Sequence, residues 1–397
     1  MGPTTLISRY HARVALEKQG RIPALDGLRA FFVFSVLAFH LWQQSWLTPS
    51  FDFFGRHISL YAYLRTGYLW VDGMLLLSGF LLFLPHARAM EMNRVSPGFK
   101  GFYKKRFLRI VPTYLLNLVV VFFLVALPEK RYATVTHGVL DWLAHLTFTH
   151  PLFAFSNVYT PLNGALWTLG VEVQFYLIFP FLARSFRKMP LLTWSGAALI
   201  AFVFRAFAMK APDSLMYVNQ LPAFMDVYLN GFVLALVFAR IENRTKDDGL
   251  SRVLMSAVVF AAVIGLSALI KNQAAIREMA DIRRGQMSIR FSQSVLTSLL
   301  ILGVSFGLGG VRLFLGNKVT AFLAAISYQV YMWHQVIALQ LKKWGVPRSV
   351  AKEPHMVGET SWQLSYLALV IIITLLISSL ITYLIERPLS GAKKARS

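Results

Sequence analysis

Runs of about eighteen or more mostly apolar residues recur along this 397-residue chain, each long enough for a helix to cross a ~30 Å hydrocarbon core. No other feature restricts the fold so sharply. Inside lipid every backbone amide must be satisfied within the protein, and separate apolar runs of this length satisfy theirs as helices. The runs fall at about 28–47, 68–86, 110–127, 164–183, 191–209, 222–239, 253–270, 292–310, 319–341 and 363–385. Only 15% of residues are charged, against roughly 25% in soluble domains. The sequence therefore predicts an all-α, polytopic membrane bundle of about ten transmembrane helices.

An eleventh apolar stretch, 139–155, contains Asp141, His145 and His150 and stops at Pro151. If it crossed, the basic loop at 184–190 would lie outside and every later loop would invert. Keeping it re-entrant or interfacial leaves the larger share of Lys and Arg on the cytoplasmic side, as the positive-inside rule requires. Both termini are then cytoplasmic. Residues 1–21 are polar and basic, with Arg9, Arg13, Lys18 and Arg21, and lack the short apolar core of a cleavable leader. The expected organisation is a cytoplasmic segment over 1–21, one membrane domain over 22–390 and a cytoplasmic tail over 391–397. The loops 271–291 and 342–362 are basic although external in this topology, which suits lipid headgroups or an anionic substrate.

A formal charge of +22 would suggest nucleic acid in a soluble protein. On a membrane protein it reads as anchoring and orientation on anionic lipid, so the expected partner is the bilayer and not nucleic acid. Cysteine is absent, which rules out disulfides and thiolate metal sites. His137, His145 and His150 lack ligand spacing on a helix, so no metal or other bound cofactor is expected.

Chemistry-bearing residues are rare inside the runs. Asp26-Gly27 reads as the start of the first helix, with Asp26 able to cap it. Arg29 and His40 are eleven residues apart, about three turns and ~16 Å of rise, and so share a face. Arg29 alone would be a snorkelling anchor and His40 alone a packing histidine; together they mark a polar tunnel leading inward. A neutral imidazole with a free nitrogen can take a proton from a hydroxyl. Arg106 and Arg109 are neighbours on one helix face, preceded by Lys100, Lys104 and Lys105. They can orient the helix, and a guanidinium pair is also a fork for phosphates. Glu172 lies mid-run, where a lone carboxylate costs ~3 kcal/mol or more, so it faces the interior and has a partner. Trp167 and Tyr176 flank it.

Asp72, nearer an interface, is a weaker candidate of the same kind. Ser78-Gly79 suits close helix packing. Tyr331 and His334 are three residues apart in the ninth run and suit tunnel lining or structural hydrogen bonding. Asp226 and Asn230 are candidates for an acceptor cavity, and Glu386-Arg387 for a structural pair ahead of Pro388.

In order along the chain, these stretches resemble the acyltransferase-3 family of integral membrane acyltransferases. The Arg29–His40 spacing matches the family's first span. YLWVDGMLLLSGFLL at 68–82 is similar to its second helix, with Trp70 in place of a glycine. YKKRFLRIVPTY at 103–114 matches its basic Arg-x-x-Arg…Pro pattern. LWTLGVEVQFYLIFP at 166–180 matches its Trp-Ser-Leu…Glu helix, with Thr168 for serine. ISYQVYMWHQ at 326–335 and YLIERPLS at 383–390 match its closing motifs. The resemblance covers about residues 22–390, as a standalone membrane domain. It implies an O-acyltransferase of the bacterial inner membrane with acyl-CoA, chiefly acetyl-CoA, as co-substrate. The acceptor would be a hydroxyl of a cell-envelope glycan, a glycolipid or a related molecule. Arg106, Arg109, Lys105 and Arg29 would bind the donor. His40 would act as general base or transient acyl carrier, with Glu172 and Arg29 beside it. Asp72, Trp167, Tyr176, Tyr331 and His334 would support the tunnel. The same buried groups would also suit a proton-coupled transporter or flippase, although no inverted repeat is visible.

Overall fold

The computed structural model describes residues 22–244 and 249–391. The cytoplasmic segment expected over 1–21 and the tail beyond residue 391 lie outside the described residues. Eleven helices of twelve residues or more carry the fold. They are α1 (Pro23–Ser45), α2 (Trp70–Glu91), α3 (Phe102–Val121), α4 (Val135–Leu146), α5 (Trp167–Lys188), α6 (Pro190–Lys210), α7 (Met225–Arg244), α8 (Gly249–Ala275), α9 (Met279–Phe306), α10 (Lys318–Lys343) and α11 (Thr360–Ile381). Among the described residues nine helices are long and apolar enough to cross a membrane.

The tenth expected span is α10. It is 26 residues long, so it has the length, but Ser327, Gln329, His334 and Gln340 make it polar, and all four are buried. A helix packed among other helices can carry such groups because lipid does not meet them. Residues 139–155 do not form a span. α4 ends at Leu146 and short turns follow at His150–Leu152 and Ala154–Asn157. Twelve residues rise about 18 Å, short of the hydrocarbon thickness. Thr134 caps α4 by accepting from the His137 amide at 3.1 Å.

α2 and α7 form the tightest crossing. A Cβ on Gly79 would lie 2.5 Å from the Tyr228 carbonyl oxygen, and one on Gly231 2.6 Å from that of Leu76. Glycines facing each other let the two backbones touch. α1 packs along α10 and lies against α2, which places the first helix centrally. α8, α6 and α11 are mostly exposed and form the lipid-facing rim.

Two elements depart from the sequence reading. Residues 50–59 form an antiparallel hairpin, Ser50–Phe53 against Arg56–Ser59, where the run of helices hid a short strand pair. The supposed external loop 271–291 is nearly all helix. α8 continues to Ala275 and α9 begins at Met279. Arg283, partly buried, pairs with Asp213 at 2.8 Å, and exposed Arg284 with Asp281 at 3.1 Å.

Candidate active site

Pro23 at the first turn of α1 presets its backbone, and Gly27 lets that end sit against residue Leu315, whose carbonyl would be 2.3 Å from an added Cβ. This fixes Arg29 beside the start of α3, which carries Arg106 and Arg109 in its first turns. The three arginines, with Ser78 of α2, Glu172 and Tyr176 of α5, and Tyr328 and Tyr331 of α10, line an open cavity of about 930 Å³, solvent at its mouth included. Five helices thus contribute to one chamber, walled otherwise by Val33, Leu75, Leu82 and similar side chains.

Within it Glu172 is held through one of its two oxygens. The Tyr176 hydroxyl donates to its Oε1, and Ser78 Oγ donates to the same atom at 3.1 Å. Arg106 lies over the Tyr176 ring, 5.4 Å from its centroid. Glu172 is the one carboxylate lining this chamber, and its charge acts on both Arg29 and Arg109. Three guanidinium groups against one carboxylate leave the chamber with a surplus of positive charge between apolar walls. Such a chamber concentrates anions and binds them more strongly than a surface patch does.

His40 is not among the cavity's lining residues. On α1 the lining stops at Val33, seven residues and about 10 Å of rise short of His40. The imidazole is half-buried among polar and aromatic groups. Its Nδ1 lies 3.1 Å from Oε1 of exposed Gln43, the Phe39 ring is 5.0 Å away and the His334 ring 5.1 Å. Tyr331 belongs to the cavity lining and touches His334, ring to ring at 5.9 Å. One face of α10 therefore links the arginine chamber to His40 through Tyr331 and His334.

Several candidates fall elsewhere. Asp72 lies outside the chamber, where Arg290 of α9 holds it, Nε to Oδ2 at 2.9 Å with both side chains buried. Asp226 is buried and binds Arg205 through two hydrogen bonds of 2.6 and 3.1 Å. Asn230 is spent on Trp194 and Ser294. Lys105 is exposed and is not among the chamber's lining residues, and Trp167 packs on Phe224 at 5.9 Å. Glu386 accepts from Gln329 at 2.8 Å instead of pairing with Arg387, which stacks on Tyr383. The chamber also uses Tyr328 and Ser327, not singled out from the sequence; their spacing with Tyr331 and His334 on α10 is the signal that would have found them.

The described helices form a polytopic bundle with an arginine-lined chamber and a His40–His334 contact beyond it. Residues 22–383 match the family model described as an acyltransferase domain. The chain belongs to the acyltransferase-3 family. It is 28% identical over 268 residues to the acyltransferase MdmB of Streptomyces mycarofaciens, covering 63% of this chain and 65% of that protein. It is 24% identical over 391 residues to YrhL of Bacillus subtilis, whose name proposes peptidoglycan O-acetylation, covering 93% of this chain and 55% of that protein. It is 23% identical over 338 residues to SACOL0978 of Staphylococcus aureus, whose name proposes O-acetylation, covering 80% of this chain and 51% of that protein. The chain thus spans about half the length of the last two relatives and just under two thirds of the first. No solved structure matches it. Family membership places an acyltransferase domain over nearly the whole chain, and the nine described helices long and apolar enough to cross a membrane fit a polytopic bundle.

Proposed function

We propose that this protein transfers an acetyl group from cytoplasmic acetyl-CoA to a hydroxyl of a cell-envelope glycan or glycolipid in the bacterial inner membrane. The observation that carries the reading is the chamber in which Arg29, Arg106 and Arg109 face a common space with Glu172 as the single lining carboxylate. Phosphate groups satisfy guanidinium forks of this kind, and coenzyme A carries several. The ~16 Å of rise from Arg29 to His40 along α1 is the distance its extended arm has to cover to bring a thioester to the imidazole.

His40 then acts on the acceptor. As general base it takes the hydroxyl proton while the acceptor oxygen attacks the thioester carbonyl. The carbon–sulfur bond breaks, the electron pair leaves on sulfur, and the proton passes from His40 to the thiolate. A transient acyl-imidazole divides the same transfer into two steps. Glu172, tied by Tyr176 and Ser78, holds the chamber's shape and limits its charge.

The test is transfer of radiolabel from acetyl-CoA to extracted envelope glycans and lipids by the purified protein in nanodiscs. Wild type is expected to label one acceptor class and His40→Ala to label none at equal folded yield. Near wild-type turnover by His40→Ala overturns the assignment.

A further inference from the structure

We infer that His334 is the positioning partner of His40: its Nε2 accepts the ring N–H of His40 through one water and so decides which His40 nitrogen is free to take the acceptor's proton. The inference rests on the acyl-transfer reading above and adds a residue and a tautomer to it.

His334 is 1% exposed. Its Nδ1 lies 2.9 Å from the Val330 carbonyl oxygen. A carbonyl oxygen only accepts, so Nδ1 carries the proton and Nε2 holds the lone pair. That Nε2 is buried and has no hydrogen-bond partner, an arrangement folded proteins seldom tolerate without a reason. Two side chains with a proton to give touch the ring, Tyr331 and His40. Tyr331 lines the chamber, which His334 does not, and this leaves His40.

The two nitrogens of His40 point in different directions. Nδ1 is beside Gln43 on the exposed side, so Nε2 is the nitrogen left for His334; no direct bond joins the two, and one water bridges them across rings whose centroids are 5.1 Å apart. With Nε2–H donated toward His334 through that water, Nδ1 keeps its lone pair. Gln43 then donates to Nδ1 with its amide turned end for end, an exchange that costs no space. An arriving hydroxyl displaces Gln43 and gives its proton to Nδ1. The second nitrogen of a catalytic base is held in this way wherever its tautomer has to be fixed. His334 gains no net proton: the hydroxyl proton ends on the departing thiolate, and both imidazoles return to their starting forms.

The experiment compares two substitutions that separate the ring's two hydrogen bonds. The Asn amide reaches the position of Nδ1 and retains the Val330 bond while removing the acceptor at Nε2. The longer Gln amide reaches the position of Nε2 and restores an acceptor there. Steady-state acetyl transfer by the purified, folded proteins is expected to show kcat lowered about 100-fold in His334→Asn, with the KM for acetyl-CoA within about twofold. His334→Gln is expected to recover about tenfold of that loss. A His334→Asn protein within about threefold of wild type, or variants equally impaired, overturns the inference, because a ring needed only for packing or for the Val330 bond does not distinguish them in that order. Failure of the wild type itself to transfer acetyl overturns the acyl-transfer reading beneath; an active wild type with an unimpaired Asn variant overturns the role of His334 alone.

Discussion

The Tyr176 hydroxyl donates to the carboxylate of Glu172, its neighbour one turn earlier on α5, inside a chamber whose other charged groups are all arginines. Tyr176 is buried and Glu172 half-buried, so removing the hydroxyl leaves the carboxylate to Ser78 alone. Tyr176→Phe is expected to destabilise the folded protein by about 1–2 kcal/mol. Thermal unfolding in detergent checks this; an unchanged midpoint means the bond contributes nothing.

Asp72 and Arg290 join α2 to α9 through a buried pair in which Asp72 Oδ1 and Arg290 Nη2 find no further partner. Breaking a buried pair from one side costs about 3–5 kcal/mol, whereas replacing both ends with apolar groups of like volume is often neutral. Arg290→Met is therefore expected to lower folded yield sharply, and Asp72→Leu with Arg290→Met to restore much of it. A double variant worse than either single one contradicts a structural role.

Glu129, in the turn after α3, is tied to Lys343 at 2.6 Å, accepts from Gln340 at 3.0 Å and pairs with Arg131. The hydrogen bond from Lys343, then those from Gln340 and Arg131, hold its carboxyl down at about 2 against an ordinary 4.5. A lowered carboxyl stabilises the fold fully above its ordinary value and loses that contribution as pH falls through the lowered one. The wild-type melting temperature is expected to fall between about pH 5 and pH 2 more steeply than that of Glu129→Gln. Parallel curves count against the tie.

The close backbone approach at Gly79 predicts that Gly79→Val is far worse than a typical membrane-helix substitution. Its Cβ has Tyr228 backbone atoms at 2.5 and 3.2 Å, and backbone cannot yield as a side chain does. Folded yield after purification reads the effect, and a normal yield contradicts the packing.

The spans were legible because each long apolar run carries its own signal. α10 was legible as a span at 319–341 from its length, but the burial of Gln329, His334 and Gln340 by neighbouring helices was not, because no single run reveals it. Arg29, Arg106, Arg109, Glu172, Tyr176 and Tyr331 meet in one chamber as their placement on helix faces suggested. The partners of Asp72 and Asp226 were not legible. Arg290 lies 218 residues from Asp72, and only the packing of α9 on α2 brings them together. Asp226 and Arg205 sit on successive spans, a pairing that opposite lone charges in adjacent runs would have suggested. The gap between the chamber and His40 depends on side-chain packing at Val33 and Tyr331, which spacing along one helix does not record.

The most direct test is the saturation curve for acetyl-CoA in wild type and in Arg29→Ala, Arg106→Ala and Arg109→Ala, with Lys105→Ala, outside the chamber lining, as the comparison. A charge-assisted bond of about 1.5–3 kcal/mol predicts that each chamber arginine raises the donor KM about 10- to 100-fold, while Lys105→Ala leaves it nearly unchanged. Chamber variants that saturate at the wild-type concentration, or a Lys105 variant that shifts as far as they do, contradict the assignment of this chamber to the acyl donor.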